Sequence, residues 1–128
     1  MILLDTSVLV ECLAGPKRSA PALRDALARA ERVGIPALVL YEWFRGPRRK
    51  EELAAQEALF PSELSIPFGA AEAVISARLY QRLQKPRGRE VDIAIAACAI
   101  HYNAALWTLN QADFADIPGL HLYQPTVS

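Results

Sequence analysis

Two very short segments of this chain contain only apolar residues, and they constrain the fold more than any other feature of the sequence. Residues 2–4 read Ile-Leu-Leu and residues 105–107 read Ala-Leu-Trp. Strands that are apolar throughout are typical of the buried centre of a parallel sheet, whose strands must be joined by crossover helices. Helical patterns fill the sequence between them. The chain is therefore predicted to be an α/β protein with a short parallel central sheet flanked by helices on both faces.

The predicted helices and strands alternate with short connections, as such a sheet requires. Strands are predicted at residues 2–4, 34–36, 64–67, 105–107 and 120–123. Helices are predicted at residues 8–13, 21–32, 37–45, 48–59, 70–84 and 92–102. Thr6 or Ser7 is expected to cap the first helix, and Gly46 with Pro47 is expected to end the third. The helix at 92–102 is the most apolar, which indicates a position in the core.

With 128 residues, of which 52% are apolar and 22% charged, the chain is long enough for one globular core. We expect a single domain over residues 1–124 and a loose tail at 125–128. No apolar run approaches the roughly 20 residues that cross a bilayer, and no basic segment precedes the first strand as in a signal peptide. Cys12 and Cys98 lie in apolar helical patterns, which is typical of buried thiols in a reducing compartment. The sequence predicts a cytoplasmic protein without a membrane segment.

The formal net charge is zero, so no overall positive field indicates a nucleic-acid partner. Arg nevertheless greatly outnumbers Lys. Arg is the better bidentate ligand of phosphate, which favours a phosphate-bearing partner, whereas a GC-rich genome would give the same usage without any such role. Composition leaves both explanations open.

Four acidic residues lie where apolar segments begin, end or are interrupted. Asp5 directly follows the first strand, Glu42 interrupts the third helix, Asp92 opens the last helix and Asp113 follows the fourth strand. An unpaired buried carboxylate costs several kcal/mol or takes up a proton, so carboxylates brought to one place by separate apolar segments indicate a shared cation. Because ligands of an open α/β sheet gather beyond the carboxyl ends of its strands, we expect all four acids at one edge.

Each acid alone has a simpler explanation. Asp5 could help to cap the helix that follows it, Asp92 could interact with its helix dipole, and Asp113 could be an ordinary turn residue. Glu42 is harder to explain in this way because apolar residues flank it on both sides, although an internal pair with Arg would suffice. Together and in this order, the four acids favour a metal site.

The ligand type indicates which cation such a site would bind. All-oxygen ligation by carboxylates favours Mg²⁺ or Mn²⁺ over zinc. His101 and His121 have no partner at metal-binding spacing. Without a cation the acids would repel one another, so the pKa of some of them should be raised. One or two such ions can activate water and neutralise charge at a phosphodiester.

On these residues the chain resembles the PIN-domain ribonucleases, and among them the VapC-type toxins of bacterial toxin–antitoxin pairs. Residues 2–8 (Ile-Leu-Leu-Asp-Thr-Ser-Val) match the family's opening strand, acid and hydroxyl residues, and Glu42 with Gly46 is similar to its E-x-x-x-G helix. Residues 92–97 look like its D-x-x-I-A-A segment, and residues 108–114 resemble its T-x-N-x-x-D-F ending. The resemblance covers essentially the whole chain, with four motifs in the family's order and spacing.

The resemblance implies a PIN-like fold and an endoribonuclease that hydrolyses single-stranded RNA with Mg²⁺ or Mn²⁺, as the toxin of a toxin–antitoxin module. Asp5, Glu42, Asp92 and Asp113 carry over as catalytic metal ligands. The fourth position is unsettled because some family members have Asp where this chain has Asn110, whereas others rely on the later acid. The residues expected to orient the carboxylates are Thr6, Ser7, Thr108 and Asn110. The residues expected to contact RNA phosphates, if they are not simply solvated loop charges, are Arg45, Arg48 and Arg89.

The resemblance also implies a homodimer and a cognate VapB-like antitoxin, whose C-terminal segment would lie over the active site. Two other functions remain open from the sequence. A catalytically weak PIN-like domain that binds RNA or a partner is compatible with Asn110 in the fourth position. An aspartyl phosphotransferase with Asp5 as its nucleophile would need acidic and Lys motifs that the chain does not contain.

Overall fold

The structure, a computed structural model of the chain, describes residues 1–125. The strands in this range are β1 (Ile2–Leu4), β2 (Val33–Gly34), β3 (Ala105–Trp107) and β4 (His121–Leu122). They form one sheet in the order β2-β1-β3-β4, and every neighbouring pair is parallel. The predicted parallel α/β class is confirmed. The tail predicted at 125–128 lies, apart from Pro125, outside the described residues.

Helices connect the strands and cover the sheet. Those within residues 1–125 are α1 (Thr6–Leu13), α2 (Ala20–Ala28), α3 (Ala37–Arg45), α4 (Lys50–Leu59), α5 (Ala70–Arg82) and α6 (Glu90–His101), with 3-10 turns at Ser62–Leu64 and Gln111–Asp113. All three residues of the central strand β1 are buried. Because successive side chains of a strand point to opposite faces, burial of all three means that both faces of β1 are covered.

The strand order brings the carboxyl ends of β1 and β3 together. Leu4 pairs with Trp107 in the parallel register. The next residue, Asp5, donates its N–H to the carbonyl of Trp107 at 2.9 Å. The segments that follow these two strands therefore leave the sheet at the same edge, where ligands of α/β proteins bind.

The strand predicted at residues 64–67 is wrong. Within the described chain, Ile66 makes only an isolated bridge to Pro36 rather than a strand. Helix α3 begins at the residue after Pro36, which leaves no extended backbone for further pairing. Strand β2 ends at Gly34, two residues before its predicted end, and beyond it the extended Pro36 pairs with Ile66 rather than with β1.

Two predicted helix boundaries are wrong for local reasons. Helix α2 ends at Ala28 rather than at 32, because Ala30 has a left-handed backbone with φ of 61°. Helix α1 begins at Thr6 with Asp5 in the cap position, so neither Thr6 nor Ser7 caps it. Their hydroxyls donate to carboxylates instead. The other helices match the prediction to within two residues at each end.

Helix α6 lies in the core, as its apolar sequence predicted, and every residue from 93 to 99 is buried. Cys12 and Cys98 are free and buried, as predicted. Burial raises the pKa of both thiols to about 11. None of the helices within residues 1–125 has the length and apolar character needed to cross a bilayer.

The buried alanines of α6 give a direct test of this packing. We expect Ala97→Leu to destabilise the fold by about 1–3 kcal/mol, because Ala97 is fully buried and the larger side chain has no space. Urea denaturation measures the loss. Ala54→Leu, on the exposed side of α4, is the matched control and should stay within about 0.5 kcal/mol of wild type. Equal losses in the two variants would contradict tight packing around α6.

Candidate active site

Asp5 follows β1 and its carboxylate is held by two hydroxyl groups from different segments. Ser7 on α1 donates to Oδ2 at 2.9 Å, and Thr108, just after β3, donates to the same oxygen at 2.7 Å. The Asp5 residue is only 4% exposed. These hydrogen bonds fix the orientation of the carboxylate at the edge of the sheet and offset part of the cost of burying it.

The segment after β3 supplies one buried hydroxyl and two exposed candidates for a fourth ligand. Thr108 is buried, and its hydroxyl also accepts the N–H of Asn110 at 3.0 Å. Asn110 and Asp113 are both exposed at this edge, at the two ends of the turn. The charge of Asp113 raises the pKa of Asp92, whereas Asn110 has no charge to contribute. The negative charge of Asp113 therefore acts on Asp92, as the charge of a fourth acid in the site would.

Glu42 comes from the middle of α3 and is engaged on both of its oxygens. Thr6 donates its hydroxyl to Oε1 at 2.5 Å, and Arg45 lies 3.5 Å from Oε2. Glu42 therefore pairs with an Arg, but with the largely exposed Arg45 rather than in the internal pair that the sequence left open. Among its apolar neighbours Tyr41 and Phe44 are exposed whereas Trp43 is buried, so Glu42 lies beside the buried face of α3.

Asp92 is the acid whose pKa reflects the charges of the other three. Its pKa is raised from its ordinary value to about 6, first by burial and then by the negative charges of Asp5, Glu42 and Asp113, while Arg89 acts in the opposite direction. Residues from four separate segments therefore influence one carboxyl group. The expected effect of repulsion among the acids is therefore found at Asp92, where burial is the larger cause of the raised pKa.

The three arginines predicted to contact RNA differ in how far they are free to do so. The side chain of Arg45 is 59% exposed, and its guanidinium lies 3.5 Å from Glu42 and 5.1 Å from the centroid of the exposed Tyr41 ring. Arg48 lies over the ring of Trp43, 4.3 Å from its centroid, and donates from Nε to the Trp43 carbonyl at 3.0 Å. Arg89 donates to both carboxylate oxygens of one acid, Asp116. RNA would have to displace these partners of Arg48 and Arg89, whereas Arg45 is open to it.

Gly46 ends α3 as predicted, but not through a left-handed backbone. Its φ is −81° and its ψ is 166°, an extended conformation that any residue can adopt. A Cβ at this position would lie 2.8 Å from a guanidinium nitrogen of Arg48. The glycine of the E-x-x-x-G motif thus provides the space in which Arg48 covers Trp43.

An open cleft of about 390 Å³ lies beside two of the acids. Its walls are formed by Glu42, Arg45, Gly88, Glu90, Val91 and Asp92. Sequence reasoning missed Glu90, whose carboxylate accepts the N–H of Gly88 at 2.6 Å, and Asp116, which pairs with Arg89. Glu90 could have been found from its position two residues before Asp92 at the helix start. Asp116 gave no comparable signal, since it stands in an exposed turn.

The donor chemistry of this site fits a hard divalent cation, but the acids are not yet arranged around one. All four contribute carboxylate oxygens, which suit Mg²⁺ or Mn²⁺. Nowhere in residues 1–125 do three His, Cys, Asp or Glu side chains converge closely enough to hold a metal ion. The contacts of Glu42 with Thr6 and Arg45 give a physical reason, because both of its oxygens are already engaged.

Comparison with known proteins identifies what this arrangement resembles. The family described as PIN domain matches residues 2–120, a range that contains all four acids. Ribonuclease VapC19 of Mycobacterium tuberculosis is 35% identical to the chain over 122 residues, which cover 94% of this chain and 97% of that protein.

Solved structures with the same fold come from toxin–antitoxin complexes. One is VapBC2 from Rickettsia felis bound to a DNA fragment from its promoter, with a TM-score of 0.79 and 26% identity over 98% of this chain and 100% of that one. Another is a toxin–antitoxin complex from Klebsiella pneumoniae, with a TM-score of 0.74 and 26% identity over 98% of both chains.

Proposed function

The chain belongs to the PIN-domain family, and from this premise we propose that it is an endoribonuclease acting on single-stranded RNA, as the toxin of a toxin–antitoxin pair. The observation that carries the proposal is that Asp5, Glu42 and Asp113 lie near enough to Asp92 for their charges to act on it, with Glu42 and Asp92 lining one cleft. A relative named as a ribonuclease, which aligns with 94% of the chain, supports the activity. Relatives solved as toxin–antitoxin complexes support the biological role.

We propose Mg²⁺ or Mn²⁺ as the cofactor, with Asp5, Glu42, Asp92 and Asp113 as its ligands. The raised pKa of Asp92 supports this assignment, because a cation among the four carboxylates would relieve their repulsion. When bound, it would neutralise charge on the scissile phosphate and lower the pKa of the attacking water.

The hydroxyl groups around the acids would orient them before any substrate binds. Ser7 and Thr108 both donate to Oδ2 of Asp5, which leaves Oδ1 without a hydrogen-bond donor among residues 1–125. Thr6 donates to one oxygen of Glu42. Outer groups of this kind typically change metal affinity or activity 10–100-fold when they are removed, so we assign Thr6, Ser7 and Thr108 an orienting role.

Arg45 is our first choice for an RNA phosphate contact, because its exposed guanidinium lines the cleft beside Glu42 and Asp92. We expect Arg45→Gln to raise KM for RNA about 3–10-fold while kcat changes less than about twofold, since a phosphate contact outside the reacting bond contributes to binding alone. Steady-state cleavage of a fluorescent RNA measures both constants. Arg29→Gln, on the distant helix α2 in an exposed pair with Asp25, is the matched control. Similar KM values for the two variants would contradict the assignment.

A cognate antitoxin is the proposed partner, and a homodimer is the proposed assembly. The solved relatives include a VapBC2 structure and a toxin–antitoxin complex, which supports an antitoxin for this chain as well. An Arg of the antitoxin inserted among the acids would suit the negative charge of the site.

One observation favours a second candidate, a PIN-like domain that binds RNA or a partner without cutting it. No three potential ligands converge within residues 1–125, and both candidates for the fourth position are exposed. Metal titration with and without RNA separates the two, because a cutting enzyme must bind the cation in the productive complex. The aspartyl phosphotransferase alternative is not proposed, because Asp5 is buried and hydrogen-bonded to two hydroxyls.

The direct test is incubation of the purified protein with single-stranded RNA in Mn²⁺ or Mg²⁺, followed by mapping of the cleaved ends. Hydrolysis should leave a 5′-phosphate and a 3′-hydroxyl at internal positions of the RNA. Intact RNA under all metal conditions, with metal binding still detectable, would favour the non-cutting alternative.

A further inference from the structure

A bidentate ion pair outside the acid cluster connects the two segments that carry Asp92 and Asp113. Arg89 donates from Nη2 to Oδ1 of Asp116 at 2.6 Å and from Nη1 to Oδ2 at 3.0 Å. The same Nη2 donates to the backbone carbonyl of Asp113 at 2.9 Å. Arg89 precedes α6, which begins one residue later, whereas its two partners lie in the turn after β3.

Arg89 and Asp116 lie close to both proposed ligands, Asp92 and Asp113. Asp92 lies three residues after Arg89, in the first turn of α6. Asp113 contributes the carbonyl that Arg89 holds, and Asp116 follows three residues later. Asp92 and Asp113 are 21 residues apart in the sequence. The Arg89 guanidinium connects their segments, because it binds the backbone carbonyl of Asp113 and the side chain of Asp116.

Arg89 and Asp116 form a bidentate pair, which is the stronger geometry for an ion pair. Two parallel N–H···O bonds between a guanidinium and a carboxylate fix both position and orientation, unlike a single-point contact. The Arg89 side chain is 22% exposed and the Asp116 side chain 54%. Asp116 neutralises part of the charge of Arg89, so the guanidinium offsets only part of the negative charge of the acids.

We infer that Arg89 and Asp116 form a positioning pair that sets the place of Asp113 relative to Asp92 and thereby the affinity of the site for its divalent cation. The inference rests on the proposed function and deepens it. It assigns Arg89 to holding the fourth ligand rather than to contacting RNA, and it gives a role to Asp116, which lies outside the four acids of the site.

The test uses Asp116→Ala, Arg89→Met, the double variant and Arg89→Lys. Mn²⁺ binding to each variant without RNA is measured by calorimetry, and hydrogen exchange of residues 110–117 is measured in the metal-free protein. We expect each single variant to bind Mn²⁺ about 10-fold more weakly and to exchange faster in this segment. The double variant should lose no more than either single variant, because the two side chains act as one unit.

Two further variants separate positioning from simple charge effects. Lys carries the same charge as Arg but cannot form two parallel bonds, so Arg89→Lys should recover little of the lost affinity. Asp25→Ala is the matched control, since the Asp25 side chain is also 54% exposed and pairs with an Arg, but on the distant helix α2. It should bind Mn²⁺ and cleave RNA like wild type. Cleavage by Asp116→Ala at saturating Mn²⁺ should stay within about threefold of wild type, because the ligands themselves are intact.

The outcomes distinguish failure of this inference from failure of the proposed function. A wild-type protein that binds Mn²⁺ and cleaves RNA, with an Asp116→Ala variant of equal affinity, would overturn the positioning role alone. Losses in the single variants that multiply in the double variant, or full recovery in Arg89→Lys, would overturn it as well. A wild-type protein that neither binds Mn²⁺ nor cleaves RNA would overturn both.

Discussion

Asp92→Asn is expected to reduce RNA cleavage by more than about 100-fold and at the same time to stabilise the metal-free fold. The loss of activity follows from removing one charged oxygen ligand of the proposed cation, a larger change than the 10–100-fold typical of the groups that only orient such ligands. The gain in stability follows from removing a charge that the fold disfavours. A gel-based assay of single-stranded RNA cleavage measures the first effect, and denaturation with chelator present measures the second.

The sign of the stability change follows from the pKa of Asp92. Its folded-state pKa is raised from 3.8 to about 6, so between these values the folded protein binds more protons than the unfolded chain. The folding stability that protonated Asp92 contributes is therefore lost as the pH rises from 3.8 to about 6, and it stays lost at higher pH. Two pKa units correspond to about 3 kcal/mol, which screening of a half-buried group reduces to about 1–2 kcal/mol.

Comparing the stabilities of wild type and Asp92→Asn across pH separates the contribution of Asp92 from those of other titrating groups. Wild type and Asp92→Asn should have similar stability near pH 4, and the variant should be more stable by about 1–2 kcal/mol at pH 7. Asp25→Asn, which removes an exposed acid on α2, should show neither the loss of cleavage nor the growing difference. A constant difference between wild type and Asp92→Asn at all pH values would contradict the raised pKa.

The fold was predictable where a local pattern was decisive and the tertiary structure agreed with it. The apolar triplet of β1 and the helix Ala37–Arg45 have the predicted bounds, because burial on both faces and a proline before the helix leave few alternatives. The strand at residues 64–67 could not be assigned in this way. Whether Ile66 pairs once or several times depends on where α3 begins on the neighbouring segment, which is a tertiary constraint.

The site was predictable as a set of acids but not as a network of contacts. The position of Asp5 after a buried strand and of Asp92 before a buried helix marks both as costly charges, and this signal is local. The hydrogen bond from Thr6 to Glu42 joins residues 36 apart. The pair of Arg89 with Asp116 joins residues 27 apart. Such contacts depend on how the fold brings distant segments of the chain together, and no periodicity or spacing in the sequence encodes them.

Chelation is expected to abolish RNA cleavage, and re-addition of Mn²⁺ to restore it, if the four acids hold the catalytic cation. The negative charges of Asp5, Glu42 and Asp113 act on Asp92 and help to raise its pKa, so a divalent cation would relieve this repulsion and its binding should favour the folded state. At a Mn²⁺ concentration about 100-fold above Kd, linkage gives about 2.7 kcal/mol of stabilisation, which corresponds to a rise in Tm of roughly 10 °C for a chain of this size. Thermal unfolding monitored by circular dichroism measures the shift.

The variants already described show whether that shift comes from the acid cluster. Asp92→Asn should lose most of the rise in Tm with Mn²⁺, whereas Asp25→Asn should keep all of it, because Asp25 lies on the distant helix α2. A rise in Tm that appears only when RNA is present would mean that the substrate completes the cation site, in keeping with acids that do not converge on their own within residues 1–125. Cleavage that continues undiminished in EDTA would exclude the metal mechanism, and the acids would then need another role at this edge of the sheet.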